Sequence, residues 1–210
     1  MGYNTGPKPP SYNVQAAVDP QSHMIVHHEV TTEATDNRLL HPVARRAKAA
    51  LGVAALTVIA DKGYANGAHA AACEVDRITP VVPVPPVANT RGDFYGPEAF
   101  RYDPATDSLT CPAGRKLLRN GDNDRDEAHR YRAEDCRGCP LKANCTTAGR
   151  RFVYRSWHHA ALQRMARRAA DDPAVMRLRR CTVEHPFGTL KAYLGNRFLL
   201  RGTLKAATET

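Results

Sequence analysis

The pattern of apolar and polar positions divides the chain into two kinds of sequence. Residues 12–79 and 152–204 contain alternating and helix-periodic apolar stretches, whereas residues 80–151 contain short strand-like pieces between Gly, Asp and Asn turns. Residues 1–11 are rich in Gly and Pro and predict a disordered leader, and residues 205–210 form a short tail. The pattern therefore predicts an α/β domain that is split by a small β-rich insertion.

The first part of this domain begins with two alternating stretches. Residues 12–19 and 24–32 have the period of two that is typical of strands, and the short link between them predicts an antiparallel hairpin. Asp36 and Asn37 can cap a helix that runs over residues 38–51. The residues predicted on the buried side of this helix are Leu39, Leu40, Val43, Ala44 and Ala47.

A nearly all-apolar run at residues 56–60 predicts a central strand that is covered on both faces. The run ends directly in Asp61, and a turn then leads into a helix over residues 66–74. Open α/β sheets place their sites at the carboxyl ends of buried strands, so Asp61 is a candidate site residue. An Asp that caps the following helix explains the same position equally well.

The composition changes at Pro80. Four of the seven residues from 80 to 86 are prolines, and a regular central strand excludes them, so we predict an extended linker there. Beyond the linker, the insertion shows little helical periodicity. Its predicted strand-like pieces are residues 100–102, 117–119 and 130–132.

Helical periodicity returns at residues 158–170, and the run Asp-Asp-Pro at 171–173 predicts the start of another helix. Positions four apart share a face of a helix, so Arg180 and Glu184 lie together on it. A carboxylate among cations is either a solvated salt-bridge partner or a ligand of a divalent metal beside bound phosphates. The predicted buried stripe of this helix consists of Val183, Phe187, Leu190 and Leu194.

Pro186 bears on the shape of the same helix. It lacks an N–H and its ring clashes with the carbonyl of Thr182, so we expect a break in the helix there. Lys191 follows Glu184 by seven positions and shares its face only if the helix continues through the proline.

The chain has 210 residues and a formal net charge of +9, with a pI near 9.5. The length suffices for one domain with a substantial core, and the positive charge favours a polyanionic partner, most often a nucleic acid. The sequence has neither an apolar run near 18 residues nor the apolar region of a signal peptide. We therefore predict no membrane span and a cytoplasmic protein.

Four of the six cysteines lie in the insertion. Cys136 and Cys139 are separated by two residues, which lets both thiolates reach one ion, and Cys111 and Cys145 complete a set of four sulfurs. Such a set suits a structural Zn²⁺, and it is also compatible with an iron–sulfur cluster or with four reduced thiols that bind nothing. The remaining cysteines lie in predicted helices, where small buried side chains are expected: Cys73 and Cys181.

The order of several short motifs resembles the DDE transposases of bacterial insertion sequences. The resemblance is to the branch that carries a cysteine-bearing insertion before the final acidic residue. Asp61 is followed by Lys-Gly-Tyr, then by the insertion, and then by Arg180, Glu184 and Lys191. Other matching stretches, which extend the resemblance over most of the chain between Tyr12 and Leu204, are residues 12–19, 111–114, 136–142 and 183–191.

This resemblance implies a ribonuclease-H-like fold, a mixed sheet with flanking helices, of which the chain would hold a part. It also implies a transposase that cleaves and joins double-stranded DNA at the ends of an insertion sequence with Mg²⁺ or Mn²⁺. Asp61 and Glu184 would be the second and third acidic ligands of two ions about 4 Å apart. Arg180 and Lys191, with Arg177 nearby, would contact DNA phosphates.

Three departures from the family pattern shape what we expect of the isolated chain. Arg177 stands where the family has a tyrosine, no strand with the family's first acidic residue precedes residue 12, and the family's closing helix runs beyond Thr210. Asp19 is the early alternative acid, but its place beside Pro20 predicts a turn. Because two carboxylates hold two ions poorly, we expect a chain that is truncated at both ends and lacks strand-transfer activity.

Two other interpretations stay open at the level of sequence. One is a basic DNA-binding remnant in which a zinc-bound insertion and the cationic helix hold phosphates without chemistry. The other is a small cysteine-bound domain that makes protein contacts. The sequence leaves the terminal-repeat and target sequences unassigned, and it leaves a homodimer open as the oligomeric state.

Overall fold

The residues that the structure, a computed structural model, describes are 12–85, 94–194 and 202–208. The chain divides into two compact units. The first unit consists of Met1–Val84 and Leu162–Thr210, and the second unit consists of Pro85–Ala161. Helices and strands both occur among the described residues, which confirms the predicted α/β class.

The strands of the first unit lie between residues 13 and 81, and those of the second unit lie between residues 101 and 156. In the first unit they are β1 (Asn13–Val18), β2 (Ile25–Thr31), β3 (Leu56–Ile59) and β4 (Ile78–Val81). In the second unit they are β5 (Arg101–Asp103), β6 (Ser108–Thr110), β7 (Lys116–Asn123), β8 (Ala128–Ala133) and β9 (Phe152–Ser156). The α-helices are α1 (Leu40–Leu51), α2 (Gly67–Val75), α3 (His159–Asp171), α4 (Pro173–Leu194) and α5 (Thr203–Ala207).

The predicted hairpin is present, because β1 and β2 pair antiparallel with Asn13 opposite Thr31. The link between them turns at Asp19, whose carboxylate accepts hydrogen bonds from the hydroxyl and the backbone N–H of Ser22. These bonds, the hydroxyl's first, lower the pKa of Asp19. The prediction of a turn-forming Asp at this position is confirmed.

The amphipathic pattern of the first predicted helix forms α1. The five residues predicted on its inner side are all buried: Leu39, Leu40, Val43, Ala44 and Ala47. The start of the helix differs from the prediction, because Asp36–Arg38 forms a separate 3-10 turn and no side chain caps α1 at Leu39. The expected capping by Asp36 or Asn37 is therefore wrong, and Asp36 is bonded to side chains of β1 instead.

β3 pairs with β4 in a parallel sheet, so the predicted extended linker is wrong at its first two residues, Pro80 and Val81. The carbonyls of Arg77 and Val81 accept the hydrogen bonds from β3. Main-chain groups of successive residues point to opposite edges of a strand, so the nitrogen of Pro80 faces away from β3. The missing N–H of the proline therefore costs no hydrogen bond between the two strands. The carbonyl of Pro80 also points away from β3 and accepts a hydrogen bond from Arg168 at 3.3 Å.

The second unit is an antiparallel sheet in the order β5-β6-β7-β8-β9. The three predicted strand-like pieces of the insertion overlap β5, β7 and β8. β6 and β9 are short, and their brief alternation predicts no strand on its own. The buried core of this sheet consists of Phe100, Leu109, Leu117, Tyr131, Ala133, Cys136 and Val153.

Two helix starts agree with the sequence. α2 begins behind Asn66, whose side chain accepts a hydrogen bond from the backbone N–H of His69 at 3.1 Å. α4 begins at Pro173 behind Asp172, whose carboxylate accepts from the backbone N–H of Ala174 at 3.0 Å. In both cases a short polar side chain occupies a position where the first turn of a helix leaves donors unpaired.

α4 continues through Pro186 to Leu194, so the expected interruption at the proline is wrong, whereas a kink of the helix there stays a prediction. Pro186 leaves the carbonyl of Thr182 without its usual donor, but the neighbouring turns keep the helix intact. The hydroxyl of Thr182, which is buried, donates to the carbonyl of Leu178 at 2.9 Å. Of the helices in the described ranges, none combines the length and the apolar character that crossing a membrane requires.

Candidate active site at the end of strand β3

The first unit contains a cavity of about 400 Å³ between β1, β3, α1 and α4. All residues of β1 and β3 line it, and the two helices add an apolar wall. One end of the cavity is polar, and we call it the polar end. Its residues are Asn13, Gln15, Asp36, Asp61, Tyr64 and Arg179.

Asp61 lies two residues after Ile59, the last residue of β3, and caps the 3-10 turn Lys62–Tyr64. One carboxylate oxygen, Oδ1, accepts a hydrogen bond from the backbone N–H of Gly63 at 2.7 Å. The other oxygen, Oδ2, lies 3.5 Å from Nη2 of Arg179, and the Asp61 side chain is 48% exposed. The cap uses one oxygen and leaves the other facing the polar end, and it closes the 3-10 turn rather than α2, which is capped by Asn66.

Asp36 lies beside Asp61, which the sequence did not predict. A Cβ built on Gly63 would lie 2.9 Å from Oδ1 of Asp61 and 3.7 Å from Oδ2 of Asp36, so the two carboxylates flank this glycine. The other oxygen of Asp36, Oδ1, accepts hydrogen bonds from the side-chain amides of Asn13 at 2.8 Å and Gln15 at 2.9 Å. These bonds attach the turn at Asp36 to the start of β1.

Tyr64 completes the same network. Its hydroxyl donates to Oε1 of Gln15. Burial raises the pKa of Tyr64 to about 12, with further contributions from the negative charges of Asp36 and Asp61. The phenol therefore remains neutral at physiological pH and acts as a hydrogen-bond donor at the polar end.

α4 supplies the basic residues of the site. Arg179, which was not among the predicted contacts, is only 17% exposed, and its Nε is buried without a hydrogen-bond partner among the described atoms. Arg177 and Arg180, which were predicted to contact DNA, are exposed. Arg179 lies four positions before Val183 of the predicted buried stripe, and this helical spacing is the signal that could have found it.

The other predicted residues of α4 are described only in part. Glu184 and Lys191 belong to the helix, but their side chains lie outside what the structure describes, so the predicted meeting of Glu184 with Asp61 stays a prediction. Val183 and Phe187 of the predicted buried stripe line the cavity. The side chains of the other two stripe residues, Leu190 and Leu194, lie outside the described set.

β3 was expected to be a central strand, and here the structure differs. Within the described ranges it pairs with β4 alone, and Thr57 in its middle is exposed. Its other edge faces the cavity, whose opposite wall is β1. Hydrogen bonds show which ends of the two strands meet. At the start of β1, Asn13 bonds to Asp36 and Gln15 bonds to Tyr64. Both partners lie beside Asp61, just beyond the end of β3.

The donor chemistry of the polar end suits a hard divalent cation, because Asp36 and Asp61 offer carboxylate oxygens within a few ångströms of one point. Two carboxylates are fewer protein donors than two ions need. Among the side chains that the structure describes, no group of three or more His, Cys, Asp or Glu residues is arranged to hold a metal.

The four cysteines of the insertion line one small cavity of about 20 Å³ in the second unit. Burial is the main cause that raises the pKa of the Cys145 thiol, and the three other thiols, Cys136, Cys111 and Cys139, add to it. The four thiols therefore lie near one another, but among the described residues they are not arranged as the ligands of a metal ion. Of the two remaining cysteines, Cys73 is buried as expected, whereas Cys181 is exposed on α4, so its predicted burial is wrong.

Comparison with known proteins gives one match. A family model described as the transposase DDE domain matches residues 1–209, which is nearly the whole chain. No curated protein matches the chain, and no solved structure does.

Proposed function

Because the chain belongs to the transposase DDE domain family, we propose that it is the catalytic domain of a metal-dependent DNA transposase with Asp61 and Glu184 as metal ligands. The observation that carries this proposal is the position of Asp61. It lies just beyond the carboxyl end of β3. One of its oxygens accepts a hydrogen bond from Gly63, and its other oxygen faces a cavity that α4, the helix of Glu184, also lines.

Mg²⁺ or Mn²⁺ held by these carboxylates would supply the Lewis acidity that activates water or a DNA 3′-hydroxyl for attack on a phosphodiester. The residues of the chain have separate tasks. The N–H of Gly63 orients Asp61, and Asp36 adds a second negative charge beside it. Arg179, whose Nη2 lies 3.5 Å from Oδ2 of Asp61, offsets part of this negative charge.

Arg177 and Arg180 are proposed to hold the DNA backbone, together with Lys191. The two arginines are exposed on the helix that borders the polar end, and no ion pair joins either to a carboxylate that the structure describes. Guanidinium groups in such a position suit phosphate oxygens because they can donate two parallel hydrogen bonds.

The cysteine group is proposed to bind one structural Zn²⁺ through Cys111, Cys136, Cys139 and Cys145. The support for this is that all four residues line one cavity in the second unit. Cys136 and Cys139 are separated by two residues, and Cys111 and Cys145 come from more distant positions in the chain. A metal there would tie the loop after β8 to the loop after β6, and no part of the chemistry at Asp61 depends on it.

Two measurements test the proposed function together. The first is Mn²⁺ binding by the whole chain, and the second is cleavage of a duplex that carries the ends of the element encoding it. We expect Asp61→Asn and Glu184→Gln each to weaken Mn²⁺ binding by more than roughly tenfold, since each removes a charged ligand. Asp103→Asn is the matched control, because Asp103 only bonds its own turn in the second unit.

A second candidate is a DNA-binding protein without chemistry. It is favoured by the ion pair of Asp61 with Arg179 and by the lack of a third described carboxylate at the polar end. In that case DNA binding persists, cleavage is absent, and Mn²⁺ binding is the same in Asp61→Asn as in the unmodified chain. That combination would overturn the metal-dependent proposal in favour of the second candidate.

A further inference from the structure

One face of the sheet in the second unit is open to solvent. Residues that stand directly opposite each other in an antiparallel pair point to the same face, and successive residues of a strand point to opposite faces. Arg132 of β8 lies between Leu118 of β7 and Phe152 of β9. Two positions earlier on β8, Arg130 lies opposite Tyr154 of β9. We call the surface that these five side chains form the platform.

The platform exposes large apolar side chains. Phe152, Tyr154 and Leu118 are 39%, 50% and 46% exposed, whereas their neighbours along the strands, Val153 and Leu117, are buried in the core. On the solvated face of an antiparallel sheet, polar residues normally alternate with the buried ones. Three large apolar side chains on that face of adjacent strands therefore indicate an interaction surface.

The cations of the platform lie beside its rings. Nε and Nη2 of Arg130 donate to the carbonyl of Asn120 at 3.1 and 2.8 Å, and its guanidinium carbon lies 5.8 Å from the centroid of the Phe152 ring. These two bonds use two of the five N–H donors of the guanidinium and hold it in place. Among the residues that the structure describes, no carboxylate forms an ion pair with Arg130 or Arg132. The platform therefore presents aromatic surface and positive charge together.

A nucleotide matches both properties, because it carries a planar base and a phosphate. An aromatic ring stacks on a base whose face is free, and in a duplex the neighbouring base pairs cover both faces. Phe152 and Tyr154 are two positions apart on one strand, which separates their Cα atoms by about 7 Å, twice the roughly 3.4 Å rise of stacked bases. Bases that stack on both rings are therefore spread apart, which only unpaired nucleotides allow.

We propose that the platform binds a single-stranded nucleic acid, with one base on Phe152, one base on Tyr154, and phosphates on Arg130 and Arg132. Binding of this kind tolerates different sequences, because every base has a face that can stack. An acidic polypeptide meets the positive charge but offers no row of planar rings, so the chemistry favours the nucleic acid. The platform belongs to the second unit, and the proposal does not rest on metal-dependent chemistry at Asp61.

Fluorescence anisotropy with the whole chain, in the absence of divalent metal, tests the proposal. The probes are labelled oligo(dT) and oligo(U) of about 15 nucleotides, and a blunt duplex of the same length. We expect Phe152→Leu and Tyr154→Leu each to weaken binding of the single strands by at least roughly fivefold and to leave duplex binding unchanged, since leucine keeps an apolar side chain but removes the ring. For Arg132→Gln, the slope of the logarithm of the binding constant against that of the salt concentration should become shallower by about 0.7.

Two further variants show that the rings of the platform are responsible. Tyr154→Phe keeps the ring and should keep the affinity for the single strands. Tyr193→Leu makes the matched change at an aromatic residue that is 85% exposed on α4, in the first unit, and it should keep the affinity as well. An unchanged midpoint of urea unfolding in Phe152→Leu and Tyr154→Leu shows that these variants fold.

The outcomes separate the proposed partner from the alternatives. Single strands that do not bind, or that bind both leucine variants as tightly as the unmodified chain, would overturn the proposal, because the rings would then hold no base. So would poly-glutamate of the same length that displaces oligo(dT) at equal concentration, since the partner would then be an acidic polypeptide. Tighter binding of oligo(U) or of oligo(dT) identifies RNA or DNA as the source of the strand, and equal binding shows that the platform contacts bases and phosphates without reading the 2′-hydroxyl.

Discussion

Gly63 carries no side chain at the point where Asp61 and Asp36 meet. A Cβ there would lie 2.9 Å from Oδ1 of Asp61, closer than such atoms approach, so Gly63→Ala forces the carboxylate to move. We expect this substitution to lose the hydrogen bond from the backbone N–H and to destabilise the first unit by about 1 kcal/mol. Mn²⁺ binding at Asp61 should weaken several-fold, as measured by titration beside the urea unfolding curve.

Gly149→Ala is the matched control for this prediction. A Cβ at Gly149 meets nothing within 4 Å, and this glycine lies in a loop of the second unit. It should leave both the unfolding midpoint and Mn²⁺ binding unchanged. Equal effects of the two substitutions would mean that the geometry around Asp61 is not what Gly63→Ala disturbs.

Single residues also show how far the sequence predicts the site. Asp61 was found because it ends an apolar run, and that signal is local. Asp36 was interpreted as a helix cap, because its real partners, Asn13 and Gln15, lie 23 and 21 positions earlier in the chain. Contacts over such separations depend on how β1 and the turn at Asp36 pack, which no local pattern encodes.

At the scale of elements, Glu74 joins α2 to α3. Its carboxylate accepts hydrogen bonds from Arg164 and Arg168, with Arg168 at 2.8 Å, and those bonds, Arg164's first, lower its pKa below the usual 4.5. A lowered folded pKa means that the stabilisation is present above about pH 4.5 and is lost as the pH falls through the folded pKa. Glu74→Gln should therefore cost about 1 kcal/mol at neutral pH, since Arg164 is largely exposed.

The measurement is the free energy of urea unfolding of the unmodified chain and of Glu74→Gln across a pH series. The gap between them should narrow as the pH falls below about 4.5, because the unfolded state binds the proton before the folded state does. Glu33→Gln serves as control, because Glu33 is exposed and no described cation pairs with it. A gap that is constant with pH would show that Glu74 acts through packing rather than through its charge.

Elements differ in how well sequence predicts them. The four buried residues of α1 and its cap residue Leu39 were all predicted, because a helix repeats its buried face every three or four positions. Pro80 was assigned to a linker, since the sequence does not say which edge of a strand needs donors, and only the pairing of β4 with β3 shows that Pro80 lies on the other edge. Likewise, Pro186 alone does not say whether neighbouring turns keep α4 intact.

The cysteine cavity makes a prediction for the second unit. Reduced protein should bind about one Zn²⁺ per chain, and Cys136→Ser or Cys139→Ser should abolish this binding, because three remaining sulfurs leave the tetrahedron incomplete. Cys181→Ser, which changes an exposed cysteine of α4, should keep it. Metal content by mass spectrometry checks the stoichiometry, and a rise of Tm with Zn²⁺ checks the coupling to folding.

Zinc retained at full stoichiometry in Cys136→Ser would contradict this assignment of ligands. Visible absorption of the protein as purified would instead indicate an iron–sulfur cluster on the same four sulfurs. A chain that binds neither would leave four reduced thiols in this small cavity.

At the scale of the whole molecule, the net charge of +9 favours binding to DNA of any sequence, and the question is which cations make the contacts. The logarithm of the binding constant should fall linearly with the logarithm of the salt concentration, with a slope of about −0.9 for each phosphate contacted. If Arg177 and Arg180 contact phosphates, Arg177→Gln combined with Arg180→Gln should make the slope shallower by about two.

Arg46→Gln is the matched control, because Glu29 already neutralises Arg46 in the folded chain. A slope that is equally steep in the double variant, measured by fluorescence anisotropy on one duplex over a salt series, would move the DNA contact away from the exposed arginines of α4. The same series on a second duplex of unrelated sequence separates phosphate contacts from base contacts, since losing a phosphate contact weakens both duplexes alike.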